Sequence, residues 1–238
     1  MSNYQIPRAK KIQNRFKNGR EFRFFPEEPC SFADFLGGTE STVSQDGEAF
    51  SRVVNFFRDI ITKVEIQERM EHFALVVTQD REKGFVVTVI EVHRKPPRKV
   101  LNCLSCDTES ETNKVSRLEY SFTKSVTTTI TSTTRNMFIV TPVRHVERLS
   151  ECTDEEIFEM FHFAVQLIGE EMKLSNPPWE GVQFEKMTLN HGNARNLEHL
   201  HLKVRIVKSQ FDWFKKHGWD EDKKERFRQF NCNDTQDL

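Results

Sequence analysis

The segment Asn190-His191-Gly192-Asn193-Ala194-Arg195-Asn196-Leu197-Glu198-His199-Leu200-His201-Leu202-Lys203-Val204-Arg205-Ile206 changes character halfway. Asn190-His191-Gly192-Asn193 is turn chemistry. From His199 onward the residues alternate strictly. Leu200, Leu202, Val204 and Ile206 fall on one face of a strand, and His199, His201, Lys203 and Arg205 on the other. One face closes a core. The opposite face lines up two imidazoles and two cations, a row suited to an anion, foremost a phosphate, with an imidazole free to act as nucleophile or proton carrier. A polar, Gly-containing turn beside such a strand also presents backbone N–H groups to a phosphate. His-x-His by itself has two further readings, chance pairing on a strand and two-thirds of a metal site.

Upstream of the turn, Val182 to Leu189 reads as a strand leading into it. Before that comes the clearest helix. Thr153-Asp154-Glu155-Glu156 is a capping box, in which hydroxyl and carboxylate satisfy free N–H groups. Ile157, Phe161, Ala164, Ile168 and Met172 form an apolar stripe, and Asn176-Pro177-Pro178 ends the helix that the pattern predicts over Thr153 to Leu174. Met137-Phe138-Ile139-Val140 is a short buried strand stopped by Thr141-Pro142, and Val143-Arg144-His145-Val146 follows.

Earlier still, Gly47 to Val64 carries Phe50, Val53, Val54, Phe57, Ile60 and Ile61 at helical spacing. Phe73 to Val77 and Phe85 to Val92, split by Asp80-Arg81-Glu82-Lys83-Gly84, predict a hairpin. Arg94 to Arg117 is a polar insertion holding Cys103-Leu104-Ser105-Cys106. Cys-x-x-Cys is half a zinc site. No second such pair exists in the chain, so the expectation is ordinary loop thiols and no structural zinc. Tyr120 to Thr134 is rich in β-branched residues and reads as β.

The ends differ from the middle. Arg8 to Arg23 is basic and reads as a solvated arm, with nuclear targeting or RNA contact as alternatives. Its Phe22, Phe24 and Phe25 imply that the later half docks on the body. Phe35 to Gly47 reads as a loop, and Phe211 to Leu238 as a charged, aromatic extension. The formal net charge of the 238 residues is −1, so no global field argues for DNA or an anionic membrane. The 21 phenylalanines are read as core. No apolar run approaches the ~20 residues that span a bilayer. The beginning carries no apolar signal segment, and the five cysteines are scattered; together these imply reduced thiols and a cytoplasmic or nuclear location.

Three pieces now stand in one order. Phe138-Ile139-Val140-Thr141-Pro142-Val143-Arg144-His145-Val146 resembles the strand-Pro-basic-His segment of the histidine-triad (HIT) superfamily. Glu147-Arg148-Leu149-Ser150 into Thr153-Asp154-Glu155-Glu156 is similar to that family's loop and central helix. Asn190-x-Gly192 followed by His199-Leu200-His201-Leu202 resembles its active-site signature. The resemblance covers about Ala74 to Ile206. It implies an α+β fold, an antiparallel sheet with a long capped helix packed on it, plus N- and C-terminal extensions. The domain would span 46–207, with the insertion at about 94–117, after an arm and loop at 1–45 and before the extension at 208–238.

The resemblance also implies a chemistry. Members act at the α-phosphate of nucleotides, as hydrolases or nucleotidyl transferases, through a nucleotidyl-histidine. By match, His201 would be the nucleophile, His199 would brace it and His145 would complete the cluster. Asn190, Gly192, Lys203 and Arg205 would meet ribose and phosphate. No cofactor and no metal are expected. The partner would be a nucleotide or dinucleotide, with RNA ends as an alternative, no membrane, and a homodimer as in many relatives. Lys203 stands where the family has its third histidine, and the turn from Asn190 to His199 is short. Lys has an unperturbed pKa of about 10.4, a poor match for proton transfer near neutrality, but it is a good point charge for phosphate. The alternative is therefore a module that binds nucleotides or RNA ends with weakened turnover.

Overall fold

The computed structural model describes residues 19–39, 47–93, 106, 116–125, 136–174, 182, 184–195 and 198–206. Among the described residues eight strands form one antiparallel sheet: β1 (Glu21–Phe24), β2 (Phe73–Asp80), β3 (Gly84–Glu91), β4 (Ser116–Arg117), β5 (Ser121–Ser125), β6 (Asn136–Pro142), β7 (Lys186–His191) and β8 (Leu202–Arg205). Their order across the sheet is β1-β3-β2-β7-β8-β6-β5-β4. The α-helices among the described residues are α1 (Phe32–Phe35), α2 (Glu48–Ile61) and α3 (Asp154–Leu174). The fold is α+β, as the sequence implies.

The expected hairpin is β2–β3, with Asp80 opposite Gly84. Asp80 Oδ1 accepts the N–H groups of Glu82 at 2.9 Å and Lys83 at 2.8 Å, which closes the turn. Gly84 has a φ of +76°, and a Cβ there would stand 1.7 Å from the Cys30 carbonyl oxygen, so only glycine fits. Residues 21–24, read from the sequence as the end of the arm, pair with β3 as an edge strand, Phe24 opposite Val87. Phe22 and Phe24 are buried, which is the docking their apolar spacing implies.

The helices cover one face. α3 opens on the capping box: Glu156 N–H donates to Thr153 Oγ1 at 3.2 Å and Thr153 N–H donates to Glu156 Oε2 at 2.8 Å. Ile157, Phe161, Ala164 and Ile168 are fully buried, but so are Met160 and Val165, so the helix is enclosed well beyond one stripe. Phenylalanine fills the core. Phe57 of α2 stacks on Phe161 of α3 with ring centroids 4.1 Å apart, and Phe32 meets Phe85 edge-on at 5.0 Å. α2 runs on through a π-helical stretch, Thr62–Gln67, which periodicity alone does not announce. The predicted strand before the turn lies later than expected, at Lys186–His191. Most of the 94–117 insertion, residues 126–134 and the C-terminal extension lie outside the described residues. Among the described residues no helix is long and apolar enough to cross a membrane.

Candidate active site

β8 lies at the middle of the sheet, between β7 and β6, with Leu202 opposite both Leu189 and Val140. The expected alternation holds over Leu202–Arg205, whereas His199 and His201 precede the strand and are buried instead of lining its open face. Leu200, Leu202, Val204 and Ile206 are fully buried on the helix side. Sheet pairing starts only at Leu202. The chain before it runs along the 142–146 loop instead, with Leu200 N–H donating to the Val146 carbonyl at 2.7 Å. That loop brings His145 to His199, ring centroids 4.7 Å apart.

His199 is fully buried. Its Nε2 lies 3.0 Å from the Pro142 carbonyl oxygen and 3.1 Å from that of Arg144. Carbonyls only accept, so Nε2 carries the proton and Nδ1 keeps its lone pair. That lone pair sits 3.5 Å from Cys106 Sγ, and His145 Nδ1 lies 3.0 Å from the same sulfur. One ligand atom from each of Cys106, His145 and His199 falls within 4.8 Å of the others. Cys106, expected to be an ordinary loop thiol, thus lies against two histidines 39 and 93 residues away along the chain, a set of atoms that could hold a metal ion. Cys103 lies outside the described residues. The cluster joins His199 to His145 and does not include His201, unlike a metal site built on the His-x-His pair.

His201 is 6 % exposed. Its Nδ1 lies 2.9 Å from the His199 carbonyl oxygen, so Nδ1–H donates and Nε2 holds the lone pair. Among the described residues no group bonds Nε2. Burial first, then the Lys203 cation, pushes the imidazole pKa down to about 3. The ring is neutral at any physiological pH.

Beyond His201 the open face of the sheet holds a cavity of about 330 Å³, lined by Lys186, Thr188, Asn190, Lys203 and Arg205 with Ala74. Three cations from two adjacent strands meet there, because Lys186 stands opposite Arg205 and Thr188 opposite Lys203 in the β7–β8 register. Glu185 approaches Arg205 at 3.8 Å and offsets part of its charge. Asn190, Lys203 and Arg205 are thus brought together. Gly192 is not among the lining residues. Its φ is +55°, and a Cβ there would stand 2.3 Å from His72 Nδ1 and 2.4 Å from the Glu71 carbonyl oxygen. It serves close packing of the turn.

Several residues that hold this arrangement carry no local signal. Arg195 is buried, pairs with Glu147 Oε2 at 2.7 Å, and donates to the carbonyls of Glu147, Gly192 and Glu198. It ties the turn before His199 to the loop after His145. Arg144 grips the Glu156 carboxylate with two bonds of 3.0 and 2.7 Å, anchoring the His145 loop on the first turn of α3. His191 is fully buried and stacked on Phe73 at 4.1 Å, and its Nε2 accepts the Leu149 N–H at 3.3 Å. Burial and the nearby arginines push its pKa down to about 3.

An antiparallel sheet with a capped helix on one face and a His-x-His segment at its middle is the α+β arrangement that the sequence resemblance implies. Solved structures agree. The chain is similar to a structure described as a uridylyltransferase mutant, at TM-score 0.53 and 15 % identity, over 79 % of this chain and 64 % of that one. A second uridylyltransferase structure aligns at TM-score 0.50 and 16 % identity, over 84 % and 68 % of the two chains. A GalT-like protein from Arabidopsis thaliana aligns at TM-score 0.47 and 8 % identity, over 79 % and 73 %. The chain spans about two thirds of the length of the two uridylyltransferases. At these identities the likeness is one of fold. No family model matches the sequence, and no curated protein matches it.

Proposed function

We propose that the chain transfers nucleotidyl groups through His201. Nε2 attacks the α-phosphorus of a nucleotide. The N–P bond forms as the bond from phosphorus to the leaving oxygen breaks, and the leaving group departs with that electron pair. An acceptor hydroxyl or water then displaces His201 and takes the nucleotidyl group. The observation that carries this reading is the fixing of His201 through Nδ1, which leaves its other nitrogen as a neutral lone pair, with Lys203, whose charge acts on that ring, lining a cationic cavity. Lys203, Arg205 and Lys186 would hold the phosphate oxygens, and Asn190 and Thr188 would supply hydrogen bonds. The uridylyltransferase neighbours support a uridine nucleotide as the first donor to try.

Cys106, His145 and His199 would hold a zinc ion. The donor set fits, since one thiolate and two imidazoles suit zinc, and the carbonyls on His199 Nε2–H orient its Nδ1 toward the sulfur. Cys103 stands three residues before Cys106, the spacing at which two cysteines share one zinc. When bound, the ion would brace His199, whose carbonyl oxygen holds His201 Nδ1.

The test is the intact mass of the protein after incubation with uridine and adenosine nucleotides. One added nucleotidyl group is expected, absent from His201→Ala. Nucleotide binding without an adduct or turnover would favour the binding-module reading, and full turnover by His201→Ala would remove His201 as nucleophile.

A further inference from the structure

A second cavity, of about 550 Å³, opens between the segment after β1, α1 and α2. Its aromatic wall includes Phe35 and Phe56, whose ring centroids lie 5.2 Å apart. Glu27, Glu28, Asp34 and Glu48 stand exposed around it. Among the lining residues carboxylates outnumber cations five to two, Asp59 being the fifth acid. Both cations are already engaged. Lys63 pairs with Glu68 at 3.0 Å. Arg52 donates to the carbonyls of Asp34 and Phe35, and its guanidinium lies 5.3 Å above the Phe35 ring. Among the described residues Glu27, Glu28 and Glu48 have no ion-pair partner. An aromatic wall under a negative rim suits a Lys or Arg side chain, through cation–π attraction and ion pairing together. Burial also raises the Asp59 pKa, so a cation in the cavity would favour that carboxylate.

The chain carries such cations in its first residues. Residues 1–18 contain Arg8, Lys10, Lys11, Arg15 and Lys17 and no acid. This segment joins the sheet at Arg20, which pairs with Glu68 at 3.4 Å. Glu68 is the partner of the cavity residue Lys63. Arg20 is thus two ion pairs from the cavity rim, and the stretch from Gly19 back to Arg8 has a contour of up to ~40 Å.

We infer that this cavity is the docking site of the chain's own basic segment, residues 8–17, whose cations lie against Phe56 and pair with Glu27, Glu28 and Glu48. Tethering makes the contact intramolecular, so weak exposed pairs suffice to keep it populated. It competes with any anionic partner, RNA included, for the same cations, and salt weakens it. The inference is independent of the chemistry at His201.

Zero-length carbodiimide cross-linking of the full chain tests it, with an equal mixture of isotope-labelled and unlabelled protein. Cross-links from Lys10, Lys11 or Lys17 to Glu27, Glu28, Asp34 or Glu48, each within one isotopic species, are expected. Mixed-isotope links would assign the cavity to a second copy's segment and overturn the intramolecular proposal. Links spread over unrelated surface carboxylates, or none at these four, would overturn it outright. In full-length Glu27→Gln/Glu28→Gln/Glu48→Gln, tryptic cleavage between Arg8 and Lys17 at low salt should accelerate about fivefold through loss of three exposed ion pairs. An unchanged rate would also overturn the proposal.

Discussion

In the proposed reaction Lys203 would govern which leaving groups His201 can serve. It lines the cationic cavity and its charge acts directly on His201. A lysine with a pKa of about 10.4 stabilises a phosphate oxygen but is slow to give up a proton at neutrality. Lys203→Ala should weaken nucleotide binding by about tenfold, the loss of one charge-assisted contact. Lys203→His should raise turnover of amine or alcohol leaving groups relative to phosphate, since imidazole titrates near 6.5 and hands on a proton. Initial rates on two substrates differing only in leaving group measure this, and an unchanged ratio counts against a charge-only role for Lys203. His191 makes a second prediction at this scale. Its folded pKa of about 3 lies below the unfolded value of about 6.5. Above pH 6.5 both states are neutral and nothing is lost. Between about 6.5 and 3 only the unfolded chain takes up the proton, so stability falls with a limiting slope of about 1.4 kcal/mol per pH unit. His191→Phe keeps the stacking on Phe73, loses the acceptor for Leu149, and should flatten that acid limb in denaturant titrations at several pH values. An identical limb would place the pH sensitivity elsewhere, His201 being the next group of the same sign.

Elements differ in how far the chain announces them. α3 and β8 were legible because their signals are local: a capping box and stripe in one, a period of two in the other. The edge strand β1 was half legible, since Phe22 and Phe24 gave its inward face while its pairing with β3 is non-local. The π-helical stretch at Thr62–Gln67 has no periodic signature of its own. Of the candidate site, His199, His201, Lys203 and Arg205 share one short segment and could be read together. Cys106 could not, because its partners come from two other segments, and counting cysteine pairs misses a mixed cysteine–histidine set. Arg195 reads as an ordinary loop arginine until Glu147 is seen against it. Glu156 does two jobs, and this separates two variants. Thr153→Ala removes only the cap and should cost about 1 kcal/mol. Glu156→Ala removes the cap partner and also releases Arg144 from a 2.7 Å ion pair, freeing the loop that carries His145. Denaturant melts should show a loss in both variants, and bound metal should fall only in Glu156→Ala. Equal metal in the two would mean that the loop is held without Arg144.

Across the whole molecule the sheet separates two jobs. Its covered face is packed with Phe and Leu against α2 and α3, and its open face carries the cations Lys186, Lys203 and Arg205. The Cys106–His145–His199 cluster stands beside that division and joins three segments that are remote along the chain. Ordering such remote segments costs entropy, and a ligand that binds only the ordered state returns it as stability. At a free metal concentration about a hundredfold above Kd, the gain is about 2.7 kcal/mol. For a chain of this size that is about 5–10 °C in Tm. Unmodified protein should therefore carry close to one zinc and lose about that much Tm on chelation. Cys106→Ser should hold less zinc and melt at nearly the same temperature with or without chelator. His201→Ala, which alters no residue of the cluster, should keep both its zinc and its chelator response. Elemental analysis and thermal unfolding of the three proteins give the answer. Zinc retained by Cys106→Ser, or lost from His201→Ala, would move the metal from the cluster to the His-x-His pair and take His201 out of its role as a free nucleophile.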